Sequence, residues 1–167
     1  AADWYNKVLT VKKNISNKDL YNAGYNYYRA SFYQEAITVF NLYIQKYPDD
    51  IFPYYLIAKA NNSIDSTMSE GLANPFYEKV IAIGSTDSVK YKTQLISSYK
   101  YFVFYYISIK KDKATALSYC DKILVLDPAD AETLSNKSII PGMNLNAPKP
   151  TKPAQAATGT KPPAKKN

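Results

Sequence analysis

Apolar and small residues recur at helical spacing in two consecutive stretches between Asn17 and Pro48, NKDLYNAGYNYYRASFYQEAITVFNLYIQKYP. Leu20, Ala23 and Tyr27 fall three to four residues apart and share one face of a helix predicted at about 17–30. Ala36 and Phe40 do the same in a second helix at about 34–47. Gly24 has no side chain, so the second helix can approach the first closely there. Ala36 supplies the matching small surface, and Phe40 fills the space one turn further on. Tyr47 precedes Pro48 and is biased away from helical geometry, which ends the second helix. Asp49 and Asp50 then offer caps for the next one.

The pattern returns downstream. Tyr54, Ile57, Ala58 and Asn61 repeat its first half, with Ala58 in place of Gly24. After a longer loop, 62–71, the second half resumes at Ala73, Tyr77 and Val80. A third unit closes with Ala116, Cys120, Ile123 and Pro128. Its first helix, about Ser88 to Ile109, contains LISSYKYFVFYYISI and is apolar on nearly every side. Tyr, Phe, Val and Ile also favour sheets, so composition allows a strand there, whereas position within the repeat argues for a helix. Asp130 can cap a last helix that Pro141 and Gly142 stop.

Seven positions, Leu20, Ala23, Gly24, Tyr27, Ala36, Phe40 and Pro48, together resemble the tetratricopeptide repeat, with Leu20 standing where Trp is usual. The resemblance implies an all-α fold, a right-handed superhelix of antiparallel helix pairs forming a tetratricopeptide repeat solenoid. Residues 16–140 would hold three repeats, at about 17–50, 51–87 and 88–128, plus a C-terminal capping helix at about 130–139. Residues 1–15, with Ala1, Tyr5 and Val8 at second-helix spacing, read as the second helix of an incomplete N-terminal repeat. The chain then reads as a fragment of a longer array, with an atypical N-terminal cap as the alternative. Residues 141–167 read as a disordered tail rich in Pro, Lys and Ala.

Charge adds little to this picture. The chain has 21 basic and 14 acidic residues, a net of +7. Five of the lysines lie in 147–167 with no acid, so the body carries 16 bases against 14 acids and is close to neutral. Steering of nucleic acid by the whole domain is not indicated, and the lysines of the tail are sparse with no aromatic interleaved. No run approaches the 18 apolar residues of a membrane helix. The opening AADWYNKV lacks the basic start and apolar centre of a signal peptide.

Chemistry is equally thin. The chain has no histidine and one cysteine, Cys120, whose helical-face position reads as a small buried residue. The glycine-bearing loops match no phosphate-binding spacing. The expectation is a non-enzymatic protein with no cofactor and no metal.

In the family resembled, partners bind the concave face, lined by the first helix of each repeat. The corresponding positions here are Lys18, Tyr21, Tyr25, Tyr28 and Arg29 in the first repeat, and Tyr55, Lys59 and Asn62 in the second. In the third, Tyr99 and Tyr106 are chosen. Tyrosine suits peptide recognition, since it offers large area on two side-chain torsions and a hydroxyl that can bond backbone or carboxylate. Family members that grip C-terminal carboxylates carry Lys and Asn where this chain has Tyr21 and Tyr25, so that clamp is absent as written. The expected function is a scaffold binding a protein or peptide in a Tyr-rich groove. The alternative is a structural or assembly component whose repeats mediate oligomerisation or docking within one larger chain. The Asn-, Lys- and Tyr-rich composition has a bacterial look, and such arrays often work in the cell envelope, with nothing separating that from the cytoplasm.

Overall fold

The computed structural model describes residues 16–146, so the half-repeat expected over 1–15 and the tail from 147 onward lie outside the described residues. Seven α-helices occur among the described residues, and no strand. They are α1 (Asn17–Arg29), α2 (Tyr33–Lys46), α3 (Ile51–Ile64), α4 (Asn74–Gly84), α5 (Lys92–Tyr105), α6 (Lys113–Leu126) and α7 (Ala131–Ile139). Each packs on the next, and α1 also touches α3. A first helix therefore meets its own pair partner and the first helix of the following pair, which is the connectivity of a solenoid.

Local chemistry sets the helix starts. Ser16 and Asp19 form a reciprocal capping box at α1, which satisfies two otherwise orphaned amides. Asp50, Asp112 and Asp130 accept from the first-turn amides of α3, α6 and α7. Each such cap contributes on the order of 1 kcal/mol. Pro75 sits in the first turn of α4, where no amide donor is needed.

The core is a series of three apolar clusters, one per junction. Leu20, Ala23, Tyr27, Ala36, Phe40 and Ile57 join α1, α2 and α3. Ala58, Ala73, Tyr77, Tyr101 and Phe102 join α3, α4 and α5. Leu95, Tyr99, Val103, Ala116, Cys120, Ile123 and Ile140 join α5, α6 and the turn after α7. Tyr106 and Tyr119 flank both of the last two, so the clusters run on as one stack. A β-carbon built on Gly24 would lie 2.6 Å from the Phe40 ring, so glycine there sets the approach of α1 to α2.

The third pair departs from the expected boundaries. Residues 88–91 are turns following a 3₁₀ segment, Ser85–Asp87, and α5 begins only at Lys92. Asp87 holds the turn, its carboxylate accepting from the Lys90 amide at 3.0 Å and its carbonyl from the Tyr91 amide at 3.1 Å. At the other end, α5 widens into a π turn, Tyr106–Lys110, which stops at Lys111 in the left-handed region with φ 57°. The aromatic run that composition alone allowed as a strand is helical through Tyr105 because neighbours cover it on both sides.

Candidate functional site

Three polar or aromatic links cross the first helices from one pair to the next. The Lys59 ammonium on α3 lies 5.9 Å from the Tyr28 ring on α1 and 5.5 Å from the Tyr55 ring on its own helix. The Tyr55 hydroxyl donates to Ser97 Oγ on α5 at 3.0 Å. Lys100 on α5 reaches α7, donating to Asp130 and Glu132, each at 2.8 Å. These contacts link the first helices of successive pairs.

Eight of the ten residues singled out in the sequence lie on α1 and α3. Tyr21 is half-buried and stacks on Tyr25, with centroids 6.1 Å apart and planes 11° apart. Its other side meets Phe40 and Tyr43, and burial raises its hydroxyl pKa. Tyr25 is 40% exposed. Tyr28 is half-buried, 5.8 Å from Tyr33 on one side and near Lys59 on the other. Arg29 is exposed, as is Lys18. Asn62 is half-buried, and its Oδ1 is fully buried with no hydrogen-bond partner.

Tyr99 and Tyr106 lie elsewhere. Tyr99 is only 8% exposed and belongs to the cluster between α5 and α6, its ring 5.9 Å from Tyr119. Tyr106 stands in the π turn and stacks on the same Tyr119 at 5.7 Å. On α5 the residues that make these links are Ser97 and Lys100, which the sequence reading did not select. The signal was present. Leu95, Ser98, Tyr99 and Phe102 repeat the spacing of Leu20, Ala23, Gly24 and Tyr27, and Ser98, like Ala23, is fully buried. In that register Lys100 corresponds to Tyr25 and Lys59.

Electrostatics differ along these links. Burial would lower the Lys100 ammonium, and its bonds to Asp130 and Glu132 outweigh that, so its pKa is raised. Lys100 in turn holds the Asp130 carboxyl down to about 2, with the Thr133 hydrogen bonds adding to the effect. Beside this pair lies a cavity of about 390 Å³ lined by Lys92, Thr93, Ile96, Ser97, Lys100, Asp127 and Asp130. Cys120 is buried, and burial pushes its thiol up, the opposite of what a nucleophile needs. The groups gathered here are rings, hydroxyls, an amide and ammonium groups.

Antiparallel helix pairs stacked on a continuous core make this a helical-repeat solenoid. No family model matches the chain, and no curated protein matches it significantly in sequence. Among solved structures it is similar to the C-terminal part of a TPR repeat-containing protein from Cytophaga hutchinsonii, at 30% identity and a TM-score of 0.74. The match covers 80% of this chain and 51% of that one, so this chain spans about half the length of the structure it matches. With the Asn17–Pro48 pattern seated at the helix contacts just described, the chain has the fold of a tetratricopeptide repeat solenoid.

Proposed function

We propose that this chain is a non-enzymatic interaction module that holds a peptide or a segment of a partner protein in the tyrosine-lined groove of α1 and α3. The observation that carries the reading is the state of that groove. Tyr25 and Tyr28 make no hydrogen bond through their hydroxyls among the described residues, Tyr25 is exposed, and Lys59 is held between two rings with no carboxylate partner. Core tyrosines behave differently, since Tyr43 donates to Asp50 at 2.7 Å and Tyr101 to Asn74 at 2.7 Å. Rings presented on rigid helices supply contact area at low entropic cost.

The test is capture of proteins from source cells by the wild type and by a triple variant, Tyr25→Ala, Tyr55→Ala and Lys59→Ala. A partner held by the wild type and lost by the variant, with helical circular dichroism unchanged, supports the groove. Equal capture by both would reject it. A second reading, an assembly role, draws on Leu134 and Ile139, which leave α7 49% and 55% exposed at large apolar side chains. Sedimentation showing mass that rises with concentration favours it, and a monomer at all concentrations counts against it.

A further inference from the structure

We infer that the α1–α3 groove selects an acidic peptide, with one Asp or Glu side chain seated on Lys59; this rests on the groove reading above and names its ligand class. Lys59 is the only Lys, Arg, Asp or Glu in α3. Lys59 is half-buried, its ammonium lies 5.9 and 5.5 Å from the Tyr28 and Tyr55 rings, and no carboxylate among the described residues lies within ion-pair distance. The ring faces attract the cation and hold it in place, yet supply no hydrogen-bond acceptor in line with its N–H groups. An incoming carboxylate would supply one where water is partly excluded and the bond is correspondingly stronger.

The neighbours are disposed for the same ligand. Arg29 follows Tyr28 and is exposed with no ion pair among the described residues, which places a second unspent cation at this end of α1. The Tyr25 and Tyr28 hydroxyls are donors without acceptors among the described residues. The chain's own segment 147–167 carries five lysines and no acid, so it has the wrong sign to occupy this half of the groove.

Display of random ten-residue peptides, selected on the immobilised full chain and titrated by fluorescence anisotropy, provides the test. The expected winners carry Asp or Glu at one fixed position, and changing that acid to its amide weakens binding by about tenfold or more. Lys59→Gln should bind the acidic peptide and its amide alike, so the two losses do not add. Lys59→Arg should restore the preference, and Lys59→Glu should select basic residues instead. Peptides that bind without an acidic preference and are lost in Tyr28→Ala would overturn the acidic assignment while leaving the peptide groove intact. Failure to select any peptide that competes with groove substitutions would overturn both. An oligothymidylate that displaces the acidic peptide at equal concentration would overturn the choice of a peptide as the ligand.

Discussion

Lys59 and Lys100 hold the same place in successive helix pairs, each directly after the residue that corresponds to Gly24, and they are used in opposite ways. Lys59 has two rings and, among the described residues, no counter-ion. Lys100 is neutralised by Asp130 and Glu132. The reason lies in what each half must hold. The first pair is closed by large apolar side chains, Leu20, Tyr27, Phe40 and Tyr43, and needs no charge to stay shut. The last helix, α7, has only Thr133 buried along its length, with Ile140 just beyond it. Polar contacts fix it instead, from Lys100 to its start, from Lys137 back to Asp121, and from Lys113 to the Pro141 carbonyl at 2.8 Å. One position therefore serves as a recognition group where packing is rich and as a fastener where packing is poor.

The largest expected effect is on the apolar end. Phe40→Ala removes a fully buried ring and should cost about 3–5 kcal/mol, read as a fall in the denaturant midpoint. Little change would mean that the first pair is not held by this cluster. Gly24→Ala drives a methyl into the same ring and should cost about 1–3 kcal/mol. A combination of Gly24→Ala with Phe40→Leu should be less than additive if the clash is the cause.

At the other end, Lys100→Met should cost about 1–2 kcal/mol and act locally. Hydrogen exchange would show α7 losing protection before α1 and α2, and raised salt should mimic the substitution in the wild type. Acid provides a second route. Asp130 has a folded pKa of about 2, below its unfolded value of roughly 4. The stability it contributes is thus present above pH ~4 and is lost as pH falls toward ~2. Protection of α7 that stays constant across that window would break the contrast between the two ends. Smallest of all, Lys59→Met should cost less than about 1 kcal/mol, because only the two ring contacts and no ion pair are lost. A large loss would make Lys59 a structural residue like Lys100.

Helix pairing in the first unit could be read from the chain because each requirement there is local. The Gly24–Phe40 approach needs a missing side chain, and helix ends need Ser16, Asp50 and Asp130 as caps. The aromatic stretch of α5 could not be settled by local preference, since Tyr, Phe and Val suit a strand and only neighbours on both sides make an all-round apolar helix stable. The candidate positions on α1 and α3 follow from the repeat pattern, which carries its own register there. On α5 the register is marked by Ser98 and Tyr99 in place of Ala and Gly, and a one-residue error exchanges Lys100 for buried Tyr99.

The sequence by itself determined a helical-repeat protein with tyrosines along one side of its first helices, because periodicity, small-residue spacing and caps act within one or two turns. Only the tertiary structure decided which lysine is spent and which is free. That choice depends on whether a carboxylate from a later helix comes within reach. Asp130 and Glu132 lie some 30 residues beyond Lys100, and the stacking of α7 on the preceding pair brings them to it.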